Sequence, residues 1–271
     1  MPETANKGPR ILLTNDDGAR APGLAVLERI AASLSDDVWV VAPETDQSGT
    51  SHSISLQQPL RVLPEGERRY VVRGTPSDCV LLAVGHLMAD HPPDLILSGV
   101  NCGANISDAM AYSGTVGAAM TALLLDVPAV ALSQTFFERH TVRWDTAETL
   151  GIALLRALLS HGVPDGVCLN VNFPDSPVDA VEGLSFCRPA KGSISGVTID
   201  PRSDARNEPY YWLSFRHSPE RVQSPDSDAA ALRHGRVAVS LLHFDRAIAD
   251  GWEDLERALS GALQRTEEET T

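Results

Sequence analysis

Two adjacent carboxylates, Asp16 and Asp17, stand between the apolar run Ile11–Leu13 and Gly18 in the stretch ILLTNDDG. Neighbouring carboxylates repel unless a proton or a cation lies between them, and a hard divalent metal is the usual answer. A helix-capping Asp beside a turn Asp would use the same residues, since Asp-Gly is a common turn dipeptide, and this stretch alone leaves both readings open. Further along stand three more groups of short polar residues: Ser48-Gly49 in ETDQSGTSHS, Asn101 to Asn105 in NCGAN, and the turn Ser113-Gly114-Thr115 after Tyr112. A Ser-Gly-Thr turn opening a helix offers free backbone N–H groups, hydroxyls and the positive end of the helix dipole, a natural cradle for a phosphate oxyanion. An ordinary N-cap is the commoner use of Ser or Thr there. Two carboxylates, a hydroxyl and a side-chain amide are all oxygen donors. They suit Mg²⁺, Mn²⁺ or Ca²⁺ and suit zinc poorly.

For these groups to meet, each must leave the same edge of one sheet. Short apolar runs ended by polar turn residues predict buried strands at Ile11–Thr14, Val38–Pro43, 94–100, 128–133 and Val167–Phe173. Helical spacing is expected over 23–34, from Pro76 to about Met88, over 115–125 and over 145–161. Thr75 as N-cap, Pro76 at the first position and Asp78 beside them make a good helix start, which accounts for Asp78 without catalysis. Extended segments at 54–63 and 70–73 around Pro64-Glu65-Gly66 predict a hairpin on the sheet edge. The alternation predicts an α/β fold: a Rossmann-like, doubly wound, mostly parallel sheet with helices on both faces. Ligands bind such sheets at the carboxyl ends of the strands.

Beyond Pro174 helical periodicity weakens, and Pro, Ser, Asp and Arg become frequent through residue 228. Strands are expected at 183–187, 210–215 and 237–243, with long excursions between them. A last helix over 252–263 precedes the tail TEEETT, which is expected to fray. The chain therefore divides into a core over 1–175, carrying the metal site, and an extension over 176–271. Long excursions of this kind are usually functional or exchanged with a partner subunit.

The net charge of −14 argues against a nucleic-acid polymer as partner, because such binding relies on basic patches. It leaves room for a small phosphorylated substrate beside a local cation. The four cysteines, Cys79, Cys102, Cys168 and Cys187, are widely spaced and read as free thiols of a reducing compartment. MPETANKGPR lacks the apolar core of a signal peptide, and no stretch is apolar enough to span a bilayer, so a cytoplasmic protein is expected.

Taken in order, ILLTNDDG followed by APG, VVAPETDQSGTSHS, RGTPSDCV, LILSGVNCGANISDAMAYSGTVGAAM and LNVNFP closely resemble the blocks of the SurE (survival protein E) nucleotidase family. DPR, YYWL and the stretch from Asp226 to Asp245 match the later blocks more loosely, so the resemblance runs from Arg10 to about Asp250. It implies a metal-dependent phosphomonoesterase acting on nucleoside 5′- and 3′-monophosphates. It also implies a homodimer or homotetramer in which carboxyl-terminal segments reach a neighbouring subunit. By motif position the metal ligands fall on Asp16, Asp17, Ser48 and Asn101, with one cation per subunit. The phosphate side falls on Asn15, Gly49, Asn105, Ser113, Gly114 and Thr115. The chain departs from the family where Asp108 is followed by Ala109 rather than a second acid, and where Leu241-Leu242-His243 replaces a Thr-Pro-Leu ending.

The expected mechanism is metal-assisted attack of water, with Asp16 or Asp17 orienting or deprotonating it. The D-x-D pattern of phosphoaspartyl phosphatases is absent. His52, in the Ser48 loop, and then His243 are the nearest candidates for the leaving-group acid, although an idle surface or core histidine is the commoner case. Trp39 is expected in the core, and Tyr112 either stacks on a base or packs its loop. The competing readings are a broad acid phosphatase or exopolyphosphatase, and a non-catalytic nucleotide sensor on the same scaffold. A dinucleotide-dependent oxidoreductase is disfavoured because no G-x-G-x-x-G follows the first strand.

Overall fold

The computed structural model describes residues 8–138, 140–191, 194–218, 224–245 and 251–268, with side chains through 260. Its centre is β1 (Ile11–Thr14), buried along its whole length. A strand with no polar face must be covered on both sides, and the chain covers it with two helical layers. Leu24, Leu27 and Ile30 of α1 (Pro22–Ala32) and Leu155 of α4 (Trp144–His161) meet Ile11 and Leu13 on one face. Cys79 and Val80 of α2 (Pro76–Leu82) and Val116, Ala119 and Met120 of α3 (Gly114–Leu124) meet Leu12 on the other.

Among the described residues the main sheet has nine strands, in the order β3-β4-β2-β1-β5-β6-β7-β11-β8. These are β2 (Val38–Pro43), β3 (Arg61–Gly66), β4 (Arg69–Arg73), β5 (Leu95–Cys102), β6 (Ala129–Gln134), β7 (Val167–Phe173), β8 (Leu184–Phe186) and β11 (Val237–His243). From β4 through β7 every neighbouring pair is parallel. β3 and β11 join antiparallel to β4 and β7, and β8 pairs parallel with β11. The expected doubly wound sheet is therefore present, and residues beyond 175 contribute its last two strands. The chain winds outward from β1 to β2 and later returns to the other side of β1 as β5. The gap between the ends of β1 and β5 is thus a switch point, where ligand clefts form in such sheets.

Several elements differ from expectation. Residues 54–60 are not a strand: Ser55 donates from N and Oγ to the Asp78 carboxylate at 2.9 and 2.8 Å, and Thr75 Oγ1 donates to the Ser53 carbonyl at 2.6 Å. Side-chain bonds to the capping box of α2 replace a strand ladder there. A 3₁₀ turn over Ser107–Tyr112, β9 (Ile194–Ser203) and α5 (Asp228–Arg233) carry no clear periodicity in the sequence. β9 pairs antiparallel with β10 (Pro209–His217) as a separate ribbon, with Pro201 inside it opposite Tyr211. The last helix, α6 (Glu253–Glu268), runs past 263 into the tail, whose final residues 269–271 lie outside the described residues. Trp39 is half-buried and stacks on Tyr70 at a centroid distance of 6.2 Å.

One close approach links the fold to the candidate site. A Cβ added at Gly117 of α3 would stand 2.1 Å from the Ser51 carbonyl oxygen, on the loop that carries Ser48. Gly117→Ala should lower the urea midpoint, at a cost of about 1–3 kcal/mol for overpacking. An unchanged midpoint would show that the loop moves aside freely.

Candidate functional site

Four chain segments converge where β1 ends. Asp16 accepts a hydrogen bond from Thr115 Oγ1 at 2.5 Å, which joins the β1 exit to the first turn of α3. The Gln47 N–H donates to the Asp16 carbonyl at 2.7 Å, which fixes the Ser48 loop on the same exit. That loop also reaches the phosphate-type turn: Ser51 N donates to the Tyr112 carbonyl at 3.2 Å and Ser51 Oγ to the Ala111 carbonyl at 2.7 Å. The fourth segment is the end of β5, where the Cys102 N–H donates to Asp17 Oδ2 at 3.0 Å, next to Asn101. Asn101 turns its Nδ2 back onto the Gly103 carbonyl at 2.8 Å. Ser48 is exposed, and its N–H donates to Asp46 Oδ1 at 2.8 Å in a tight turn that continues into Gly49.

Asp16 is 4% exposed. Burial pushes its carboxyl up from 3.8 to about 6, the hydrogen bond from Thr115 pulls it down, and the Asp17 charge pushes it up again. Among the described residues no basic side chain acts on it. Nearby, Asn15 donates from Nδ2 to the Gly18 carbonyl at 2.9 Å, while its Oδ1 is buried without a partner among the described residues. A buried carboxylate facing a second carboxylate and an orphan amide oxygen lacks positive charge, and a hard divalent cation fits that oxygen-only donor set.

The other wall is the start of α3. Ser113 is the N-cap, and its Oγ accepts the Val116 N–H at 3.1 Å. The N–H groups of Gly114 and Thr115 are in the first helical turn, where no intrahelical acceptor exists. A Cβ at Gly114 would lie 2.8 Å from Asp16 Cβ and 3.0 Å from its Oδ2, so only glycine lets this turn approach the carboxylate. Asn105, buried beneath the turn's approach, donates from Nδ2 to Ser133 Oγ at 2.9 Å.

With this geometry in view, the relatives become informative. The profile of the Survival protein SurE family matches residues 11–196. The chain belongs to the SurE family. It is 51% identical over 246 residues to 5′-nucleotidase SurE 1 of Burkholderia lata, covering 91% of this chain and 95% of that protein. It is 50% identical over 240 residues to 5′-nucleotidase SurE of Azorhizobium caulinodans, covering 88% and 93%. The crystal structure of the SurE protein from Aquifex aeolicus superposes with a TM-score of 0.76 at 32% identity, covering 88% of this chain and 95% of that one.

Within this SurE fold the candidate residues of the sequence fall in two groups. Asp16, Asp17, Asn15 and the Ser113–Thr115 turn lie at one sheet edge, with the Ser48-Gly49 loop and Asn101 beside them. The two histidines fare differently. His243 ends β11 opposite Val167, the first residue of β7, so it lies at the far edge of the sheet from Asp16. His52 lines one cavity of about 1090 Å³ with it. Asp78 is a capping residue, as expected: it accepts from Thr75 N at 2.9 Å while Thr75 Oγ1 accepts from Asp78 N at 3.1 Å. The Tyr112 ring packs 5.0 Å from Phe215 of β10, and so serves the loop. The Cys102 N–H as holder of Asp17 was not legible in the sequence, because a backbone donor leaves no residue-type signal. None of the four cysteines forms a disulfide among the described residues.

The raised Asp16 carboxyl yields a signed prediction for the metal-free protein. Its folded value lies above its unfolded value, so its stabilising contribution is full below about pH 3.8 and is lost as pH rises through about 6. At pH 7 the ionised group costs roughly 3 kcal/mol relative to its protonated form. Asp16→Asn should therefore raise the Tm of metal-free protein at pH 7 and leave it nearly unchanged at pH 4. Equal effects at both pH values would remove the buried charge from the account.

Proposed function

We propose that this protein is a metal-dependent 5′-nucleotidase, hydrolysing nucleoside 5′-monophosphates, and also 3′-monophosphates, to nucleoside and phosphate. The observation that carries this reading is the contact between Asp16 and Thr115, which sets a buried carboxylate against a helix start with free N–H groups. The names of the relatives, 5′-nucleotidase SurE, point the same way.

In this reading Asp16, Asp17, Ser48 and Asn101 would hold one Mg²⁺ or Mn²⁺, with Ca²⁺ as a possible occupant. The cation would supply charge neutralisation and Lewis acidity toward a phosphoryl oxygen. The chain supplies the rest. The Gly114 and Thr115 N–H groups receive the equatorial oxygens as their charge develops, aided by the dipole of α3. Asn15, Gly49 and Asn105 close the phosphate side. Asp16 or Asp17 orients the attacking water and takes its proton as the new P–O bond forms. The ester P–O bond breaks, and the departing alkoxide takes a proton from solvent.

The same reading includes a homodimer or homotetramer. It is supported by the β9–β10 ribbon, which exposes Val197, Ile199, Tyr211 and Leu213 on one face, with Ile199 opposite Leu213. A cytoplasmic location belongs to it as well, supported by four cysteines that form no disulfide among the described residues; no described helix is long and apolar enough to cross a membrane.

Phosphate release from a panel of nucleoside monophosphates, glycerol phosphate and short polyphosphate tests this directly, with Mg²⁺ or Mn²⁺ and after chelation. Release should favour nucleotides, stop on chelation and fall at least about 10³-fold in Asp16→Ala. Equal release from glycerol phosphate or polyphosphate would favour a broad phosphatase. Nucleotide binding without release would favour a sensor.

A further inference from the structure

The phosphate-side residues Asn105 and Ser113–Thr115 sit at the two ends of one connection, residues 103–113, which crosses from β5 to α3. Asn105 is fixed on all sides. Its N–H donates to Asn172 Oδ1 at 2.8 Å, and its carbonyl accepts from Asn170 Nδ2 at 2.8 Å and Asn172 Nδ2 at 3.2 Å. Two residues later the backbone does something unusual. Ser107 takes φ = +56°, a left-handed conformation that a non-glycine residue adopts at a cost unless its surroundings impose it.

What imposes it is a residue 121 positions away. Asp228 accepts from Ser107 N at 2.7 Å through Oδ2 and from Ser107 Oγ at 3.0 Å through Oδ1. The side chain of Asp228 is fully buried. Helix capping does not account for its aim: Ser227 already caps α5, by accepting the Ala230 N–H at 3.1 Å. Only the Ala229 N–H, at 2.7 Å to Oδ1, serves α5. From Ser107 the 3₁₀ turn runs directly to Tyr112 and the Ser113 cap, so a shift at Ser107 carries to the phosphate turn. The same turn is held at Asp108, whose carboxylate accepts the Ile194 N–H at 3.2 Å, and at Tyr112 by Phe215.

We propose that Asp228 is a positioning residue for phosphate binding: from the carboxyl-terminal part of the chain it sets the Ser107 backbone, and through it the Ser113–Thr115 turn, in the geometry that receives the phosphoryl group. This rests on the phosphomonoesterase reading above. The metal-ligand candidates Asp16, Asp17, Ser48 and Asn101 lie on other segments and meet the turn through the Thr115–Asp16 bond, so the residue acts first on the phosphate side. Burial pushes the Asp228 carboxyl up, and the hydrogen bonds from Ser107 and Ala229 pull it back, so the group is retained at a cost.

Asp228→Asn turns an amide N–H toward a backbone or hydroxyl donor and releases Ser107. Ser107→Ala keeps the backbone bond and removes only the Oγ bond, so it tests the same idea in a chain that keeps its fold. Both variants are compared with wild type for KM of the best nucleotide, Ki of inorganic phosphate, the Mn²⁺ activation constant and Tm. Asp228→Asn should raise KM and the phosphate Ki about tenfold, the effect of one charge-assisted hydrogen bond, and Ser107→Ala should raise them less. The Mn²⁺ constant should move less than KM and Ki, because Asp228 reaches the metal-ligand candidates only through the turn. If Asp228→Asn does not fold, Ser107→Ala decides alone. A purely structural role would lower Tm and the active fraction while leaving KM and Ki unchanged, and that result overturns the proposal. Wild-type protein that releases no phosphate would instead overturn the nucleotidase reading.

Discussion

The buried carboxylate of Asp16, with a second carboxylate beside it and no basic side chain among the described residues acting on it, is the constraint around which the rest of the site is arranged. Everything near it is bonded so that the carboxylate stays where it is. Thr115 donates to its side chain, Gln47 to its carbonyl, and Gly114 omits the Cβ that would push it away. None of these contacts neutralises it. A protein that keeps such a group ionised at neutral pH retains an instability that a bound cation would remove, so in the proposed reading metal binding and local stability would be linked.

The doubly wound sheet makes that arrangement possible at modest expense. Because β1 and β5 are parallel neighbours, their exits present Asp17 and Cys102 side by side although the chain between them is long. The loop after β2 needs to travel only to the next strand end to place Ser48. The helix after β5 returns with its amino terminus at the same edge, so its dipole and unsatisfied N–H groups point at the place where the carboxylates lie. The carboxyl-terminal part then closes the sheet with β11 and β8 and sends Asp228 back to the loop that enters α3.

Much of this was legible in the sequence because parallel strands buried on both faces leave apolar runs with sharp polar ends. Ile11–Thr14, Val38–Pro43 and Val167–Phe173 carry their boundaries in plain view. The Asp pair, the Ser-Gly-Thr turn and the Asn101 exit were visible for the same reason: each follows a strand end or opens a helix. The part that was not legible depends on distant or backbone partners. The Asp228–Ser107 bond spans 121 positions, and no local pattern announces it. The β9 strand carries Pro201 and polar residues on a ribbon outside the main sheet, so no core imposes period-two alternation on it. Residues 54–60 have strand-like composition, yet Asp78 captures Ser55 and Thr75 holds the Ser53 carbonyl just before them.

The central claim is that a divalent cation completes the charge at Asp16 and Asp17. The most direct test is anomalous diffraction from crystals of the wild-type protein grown with Mn²⁺. The account predicts a single strong peak at the β1 exit, within about 2–2.6 Å of carboxylate oxygens of both Asp16 and Asp17. A fully active protein whose crystals show no peak there, or show one only elsewhere, would contradict it.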